Sequence, residues 1–216
     1  KIFKCVIRTD ASLQIGSGHL MRCLTLAEVL RDSGVVVEFV CRTHYGNLDG
    51  LIRQKGFIVH ELPYPRHQAS MITQDLDIQN EYTQCLVVSQ ELDAEETIIK
   101  LQGTNTDLLV VDHYGLDETW ECLMRHHVGK IMVIDDLADR FHDCDILLDQ
   151  NYFINGKSRY DNLVPPTCTK LLGIQYALLR SEFSEARKKL KPKTGEIHRV
   201  LVFFGGTDSD NVTGGA

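Results

Sequence analysis

The sequence lacks an excess of positive charge, and this limits the partners that we expect. Its 216 residues include 23 Lys and Arg against 30 Asp and Glu, which gives a formal net charge of -7. Broad binding to nucleic acid or to anionic membranes favours a basic surface. We therefore expect no nucleic-acid or membrane partner. A small phosphate ligand is compatible with this charge, because a few backbone N–H groups can bind it.

Paired cysteines and long apolar runs are also lacking. The 7 cysteines include no C-x-x-C pair, so neither a disulfide framework nor a zinc ribbon is indicated. No apolar run reaches the length of a membrane span, and no segment has the pattern of a signal peptide. We therefore expect a cytoplasmic protein with reduced thiols, and we favour a monomer.

Short, continuous apolar runs alternate with helical patterns along the chain. Continuous hydrophobicity is typical of strands covered on both faces, and strand–helix alternation predicts an α/β, Rossmann-like doubly wound parallel sheet. The predicted strands are Cys5–Ile7, Val35–Cys41, Phe57–Leu62, Leu108–Val111, Ile131–Ile134 and Ile146–Leu148. The predicted helices are Leu20–Leu30, Leu48–Gln54, Ala94–Leu101, Leu116–Arg125 and Arg180–Leu190. The stretch from Pro63 to Gln90 fits either a long loop or an extra helix.

The polar stretch after the last predicted helix indicates a domain boundary. We assign residues 1–190 to an N-terminal Rossmann-like domain, 191–198 to a linker and 199–216 to the start of a second, nucleotide-binding domain. Val200–Phe204 is predicted as the first strand of that second domain. A strand followed by so few residues cannot complete a sheet, so we expect most of a second domain to be missing from this sequence.

The first candidate site is Gly16-Ser17-Gly18-His19, between the first predicted strand and helix. Glycines let a backbone approach a ligand closely, and a helix N-terminus offers unpaired N–H groups. The motif is neither a Walker loop nor a dinucleotide fingerprint, since Met21 stands where the third glycine belongs. His19 is the best candidate for acid–base chemistry. The alternatives are a plain glycine-rich turn and a capping histidine.

Two further polar clusters follow predicted strands. Asp112-His113-Tyr114-Gly115 follows Leu108–Val111, and Gly205-Gly206-Thr207-Asp208 follows Val200–Phe204. The carboxyl ends of parallel strands are where open α/β sheets bind ligands. The first cluster could equally be a helix cap and the second a β-turn.

Acidic residues from Asp135 to Asp149 and scattered Cys and His residues raise the question of a metal. Their spacing matches neither a calcium loop nor a recognised zinc pattern. We predict no metal and no cofactor.

Several motifs occur in a fixed order along the chain: Arg8-Thr9-Asp10, Ile15–Cys23, Val111–Tyr114, Ile134–Ala138, Cys144–Asn151, Leu163–Pro166, Tyr176–Arg180 with Glu182-Phe183, and Gly205–Asp208. Taken together and in this order, they resemble those of one family, the UDP-2,4-diacetamido-2,4,6-trideoxy-β-L-altropyranose hydrolases of pseudaminic acid synthesis with their spore-coat polysaccharide relatives.

The resemblance implies a GT-B fold similar to that of MurG, with the substrate held between two Rossmann-like domains. It implies that His19 is the catalytic acid/base and that Tyr114 lies near the reacting centre. Arg180 and the loop Gly205–Asp208 are then expected to bind the substrate, with UDP held mainly by the second domain. The glycine loop Gly16–Gly18 and Asp112 complete the expected substrate site.

The implied reaction is hydrolysis of a UDP-sugar at the anomeric carbon, with inversion. An inverting glycosyltransferase of the same fold also needs a base near that carbon, so His19 does not separate the two activities. A noncatalytic nucleotide-sugar-binding protein is the third possibility.

Overall fold

The computed structural model describes residues 2–12, 15–65, 85–190, 195, 199–202 and 211–215. The chain divides into two compact units, Lys1–Leu178 and Leu179–Ala216. The first unit contains a seven-stranded sheet. Its strands are β1 (Lys4–Thr9), β2 (Val36–Arg42), β3 (Ile58–Leu62), β4 (Thr106–Asp112), β5 (Val128–Ile134), β6 (Ile146–Asp149) and β7 (Thr169–Leu172). Among the described residues its helices are α1 (Gly18–Asp32), α2 (Asp49–Gln54), α3 (Gln90–Leu101) and α4 (Glu118–Met124), with 3-10 turns at Gly156–Ser158 and Ile174–Tyr176.

All the strand pairings are parallel, in the order β3-β2-β1-β4-β5-β6-β7. The chain begins in the middle of the sheet, builds one half outwards and then returns to build the other. This is the Rossmann-like strand order with one strand added. The predicted fold class is confirmed.

The central strands are buried on both faces, as their continuous hydrophobicity predicted. Cys5 and Ile7 belong to one apolar cluster together with Leu24 of α1, whereas Val6 belongs to a second cluster together with Trp120 of α4. Successive side chains of a strand point to opposite faces. Helices therefore cover both faces of the sheet, which makes it doubly wound.

Local signals set the helix ends. Gly34 follows α1 with a φ of 86°, a conformation that favours glycine. Ser89 caps α3 by accepting a hydrogen bond from the Leu92 N–H, and Asp117 caps α4 by accepting one from the Thr119 N–H. The helices predicted at these places are confirmed to within a few residues.

Strand β7 was not predicted. It has only four residues, none of them fully buried, and its two polar residues Thr169 and Lys170 precede two leucines without alternation. It forms because the neighbouring β6 supplies the backbone partners, through pairs such as Leu148 with Leu171. A short, partly polar segment of this kind has no signal of its own.

The second unit contains a helix, α5 (Ser181–Lys189), and a 3-10 turn, Val212–Gly215. The α5 helix agrees with the predicted Arg180–Leu190. Of the strand predicted over Val200–Phe204, the described residues 200–202 have no strand assignment, and the other two lie outside the described part of the chain. The boundaries predicted at 190 and 199 stay predictions. No helix among the described residues is long and apolar enough to cross a bilayer.

Candidate functional site

Polar side chains collect at the carboxyl edge of the sheet. Asp10 follows β1, Asp112 ends β4, Asp135 follows β5 and Asp149 ends β6; all four are at most 4% exposed. The register pairs Thr9 of β1 with Asp112 of β4, so the ends of these central strands lie side by side. The sheet therefore gathers at one edge residues that are far apart in sequence.

The predicted glycine loop lies at this edge and leads into α1. Gly16 has a φ of 82°, and its N–H donates to the Ser12 carbonyl at 2.8 Å. Ser17 is the N-cap residue of α1, but its side chain makes no capping hydrogen bond. A Cβ added to Gly18 would meet no atom of the described residues within 4 Å. The start of α1 thus offers open space beside its first-turn N–H groups.

His19 and Tyr114 are in direct contact. Their ring centroids lie 4.4 Å apart with the planes at 87°, an edge-to-face arrangement. His19 is 8% exposed, and its buried Nδ1 has no hydrogen-bond partner among the described residues. The Tyr114 hydroxyl donates to Asp136 Oδ1 at 2.8 Å. The structure therefore brings together the two residues to which the resemblance assigned the chemistry.

Arg22 joins this pair to the sheet. Its Nε and Nη2 donate to the two carboxylate oxygens of Asp112 at 2.6 and 2.7 Å, and its Nη1 donates to Asp136 Oδ2 at 3.0 Å. The Cys23 thiol also donates to Asp112, at 3.3 Å. The oxygens of Asp112 are thus occupied by α1, so the structure assigns this predicted ligand-binding residue a partner within the protein.

The charges in the site follow from burial and from these bonds. Burial lowers the pKa of His19, helped by Arg22 and His113 and opposed by Asp112 and Asp136. Burial and the hydrogen bond to Asp136 raise the pKa of Tyr114 above its usual range. Burial alone would raise the pKa of Asp112, but the hydrogen bonds from Arg22 outweigh it and lower that pKa. Near pH 7 the site therefore holds a neutral imidazole beside a neutral phenol, with a carboxylate and a guanidinium paired behind them.

His113, which lies between Asp112 and Tyr114 in sequence, faces a different group of residues. Its Nδ1 accepts the Gly115 N–H at 2.9 Å, and its Nε2 lies 3.1 Å from Asp10 Oδ2. With Nδ1 as the acceptor, the ring proton lies on Nε2, which is close to the carboxylate but does not form a well-aligned hydrogen bond with it. His113 is thereby fixed within the protein and orients the turn after β4.

Asp10 belongs to a buried ionic network at the ends of β1 and β2. Arg8 binds both Asp10 and Asp93, with contacts of 2.5 and 2.7 Å, and Arg42 binds Asp93 at 2.7 Å. Trp120 Nε1 also donates to Asp93, at 3.1 Å. The side chains of the four ionic residues are fully buried. This network joins α3 and α4 to the central strands, and it supports the edge on which His19 lies.

Neither Arg22 nor Asp136 was predicted as a site residue, although both lie within motifs that carry the resemblance. Arg22 follows His19 by three residues on one helix, and residues at that spacing share a face. That spacing was the available signal. Asp136 gave no comparable signal, because its partners come from α1 and from the turn after β4.

The other predicted site residues belong to other parts of the chain. Arg180 belongs to the second unit, where it precedes α5 and its guanidinium lies 5.2 Å from the Phe183 ring centroid. Gly205, Gly206, Thr207 and Asp208 lie outside the described residues. Within the described part of the chain, no group of three or more His, Cys, Asp or Glu side chains is arranged to hold a metal ion.

A cavity of about 620 Å³ opens at the same sheet edge, at the ends of β6 and β7. His19 and Tyr114 do not line it. Phe153 lines it and packs under the Arg159 guanidinium, 3.4 Å from the ring centroid. Arg159 in turn donates to the Asp136 carbonyl at 3.0 Å. Through Arg159, the wall of the cavity is therefore connected to Asp136, whose carboxylate accepts the hydrogen bond from Tyr114.

Comparison with known proteins supports the resemblance drawn from the motifs. Over 211 residues the chain is 31% identical to a UDP-2,4-diacetamido-2,4,6-trideoxy-β-L-altropyranose hydrolase of Campylobacter jejuni, a match that covers 97% of this chain and 63% of that protein. It is 21% identical over 215 residues to an uncharacterized protein of Methanocaldococcus jannaschii, covering 97% of this chain and 38% of that protein. The chain thus spans less than two thirds of the length of either relative. No protein-family model matches it.

Proposed function

We propose that this protein hydrolyses a UDP-activated diacetamido-trideoxy sugar at the anomeric carbon, releasing UDP and the free sugar with inversion, as a step in making a nonulosonic acid such as pseudaminic acid. The observation that carries the proposal is the buried imidazole of His19 packed edge-to-face against Tyr114 at the carboxyl edge of the sheet. The similarity to the C. jejuni hydrolase runs through this region and supplies the substrate class.

In the proposed reaction His19 is the general base. Water is a weak nucleophile, and it attacks the anomeric carbon more readily when a base removes its proton as the new C–O bond forms. The bond from the anomeric carbon to the phosphate oxygen breaks, UDP leaves with the electron pair, and the water proton passes to His19. A base must be neutral before it acts, and burial keeps the pKa of His19 low.

UDP departs as an anion and needs donors that face it. We assign this task to the N–H groups of Gly205, Gly206 and Thr207, which enter the proposal from the sequence alone, together with Arg180. The first-turn N–H groups of α1 and the open space at Gly16–Gly18 are assigned to the sugar side of the substrate.

An isotope experiment with the complete protein tests the reaction. Incubation with the UDP-sugar in ¹⁸O-labelled water, without an acceptor, is expected to place the label on the anomeric carbon of the sugar and none on UDP. Proton NMR within the first minutes is expected to show the anomer opposite to that of the substrate. Label on UDP would instead indicate attack at phosphorus, and UDP release that requires an added acceptor alcohol would indicate a glycosyltransferase.

Replacing His19, the proposed base, tests its role in the reaction. His19→Asn is expected to lower kcat by about 10²–10⁴-fold, the usual contribution of a general base, with little change in UDP affinity. His126→Asn serves as the control, because His126 is exposed and comes after α4 in the chain. Near-normal turnover by the His19 variant would remove this residue from the mechanism.

A further inference from the structure

Arg22 is placed where one side chain can control the geometry of two others. It binds the carboxylates of Asp112 and Asp136 at once, and the second oxygen of Asp136 accepts the Tyr114 hydroxyl. Tyr114 in turn packs against His19. The Arg22 side chain is only 10% exposed, so these contacts are largely shielded from water.

We propose that Arg22 is a positioning residue that acts through Asp136 and Tyr114 to hold the His19 imidazole in its working orientation. This inference rests on the proposed function, because it takes His19 as the base. It assigns to Arg22 no contact with the substrate.

The geometry explains why an arginine is needed. Two guanidinium nitrogens meet the two oxygens of Asp112 as a fork, which fixes the plane of the Arg22 head group. The third nitrogen then has one direction, towards Asp136. A lysine offers a point charge without a planar fork, so it cannot fix both carboxylates in the same way.

The same contacts affect the charge on His19. The charged and titratable groups that face it are Arg22 on its own helix, the residues Asp112, His113 and Tyr114 at the end of β4, and Asp136 after β5. Asp112 and Asp136 raise the pKa of His19, whereas Arg22 lowers it. Loss of the Arg22 charge should therefore raise the His19 pKa, and loss of the Asp136 charge should lower it.

Three variants of the complete protein separate the effect of Arg22 on the position of His19 from its effect on the pKa of His19. Arg22→Gln is expected to lower kcat by about 10²-fold through misplacement of the base, with KM little changed. It should also move the acidic limb of the kcat/KM profile to higher pH. Arg22→Lys keeps the charge, so it should leave that limb in place while kcat still falls at least about tenfold. Asp136→Asn keeps an acceptor for Tyr114 and should move the limb to lower pH.

Arg31→Gln is the matched control. Arg31 lies on the same helix, about 13 Å along its axis from Arg22 by the helical rise, and its side chain is 45% exposed. The substitution removes the same charge from α1 without touching the site. We expect wild-type kcat and an unchanged pH profile.

An NMR titration of the His19 ring makes the test independent of activity. The expected order of His19 pKa values is Asp136→Asn below wild type and Arg22→Gln above it. Equal His19 pKa values in wild type, Asp136→Asn and Arg22→Gln would overturn the role given to Arg22. Wild-type kcat in Arg22→Lys would overturn it as well. If the His19→Asn variant is fully active while the titration shows the expected order, the proposed function fails and the electrostatic coupling stands. If Arg22→Gln does not fold, Asp136→Asn and Arg22→Lys still decide the matter.

Discussion

The rings of His19 and Tyr114 meet edge to face with their centroids 4.4 Å apart, although the two residues are 95 positions apart in sequence. This contact joins the first turn of α1 to the turn after β4. It gives the imidazole a fixed apolar neighbour and leaves its Nδ1 without a hydrogen-bond partner among the described residues. Packing against Tyr114 therefore orients the imidazole ring without a hydrogen bond to Nδ1.

Removing the Tyr114 hydroxyl should have a smaller effect than removing the ring. Tyr114→Phe loses the hydrogen bond to Asp136 through which Arg22 acts on His19, so kcat should fall by about 10²-fold, as in Arg22→Gln. Tyr114→Ala also removes the ring that packs against His19 and should lower kcat by about 10³-fold. Steady-state assays of UDP release measure both, with Tyr45→Phe as the control because Tyr45 is 89% exposed. Equal losses in the two Tyr114 variants would contradict a role for the ring.

A methyl group at Gly18 tests whether the substrate approaches the start of α1. The added Cβ meets nothing within 4 Å, and Gly18 does not need a positive φ, so Gly18→Ala should leave the free energy of unfolding unchanged or slightly higher. We expect KM to rise by about tenfold, which is about 1.4 kcal/mol of lost binding. Gly50→Ala, which also places its Cβ in open space on a helix, is the control. An unaltered KM in Gly18→Ala would place the substrate elsewhere.

The buried ionic network predicts a large loss of stability on removing Asp93. Asp93→Ala would leave the guanidinium groups of Arg8 and Arg42 buried without this partner and the Trp120 N–H without an acceptor. Breaking a buried pair in this way costs about 3–5 kcal/mol. Urea unfolding followed by circular dichroism measures the change. Glu95→Ala, on the exposed face of the same helix, is the control, and its free energy of unfolding should stay within about 0.5 kcal/mol of wild type. An equally small change in Asp93→Ala would show that the network contributes little to stability.

The Glu121–His142 pair predicts a loss of stability with rising pH. Burial lowers the pKa of His142, but its 2.7 Å contact with Glu121 outweighs this and raises that pKa above its usual value; burial raises the pKa of Glu121. Both shifts mean that the folded state binds more protons than the unfolded state. The stabilisation from His142 is complete below about pH 6.5 and is lost as pH rises through the pKa of folded His142, whereas the stabilisation from Glu121 begins to be lost above about pH 4.5.

The His142→Gln variant isolates this effect. The free energy of unfolding, measured from pH 5.5 to pH 8.5, should fall less steeply in the variant than in wild type. Comparing the two slopes removes the contributions of the other histidines, which both proteins share. A steeper fall in the variant would mean that the Glu121–His142 pair stabilises the folded state more at high pH than at low pH, contrary to the prediction.

Most of the sheet could be predicted from the sequence, because a strand covered on both faces must be apolar along its length. Six of the seven strands carry that signal, and Thr169–Leu172 does not. Its place at the edge depends on pairing with β6. The site was predicted in part, since His19 and Tyr114 each follow a strand and lie beside glycines, where ligands of open α/β sheets bind.

By itself the sequence determined the alternation of strands and helices, the glycine turn before α1 and the position of the reactive side chains at strand ends. These features are local, because each depends on neighbours within a few residues. Only the tertiary structure decided which side chains meet: Arg22 with Asp112 and Asp136, and His113 with Asp10 rather than with His19. The physical reason is that these contacts depend on β1 lying beside β4 and β4 beside β5 in a fixed register, and strand order is a property of the whole sheet that no single segment encodes.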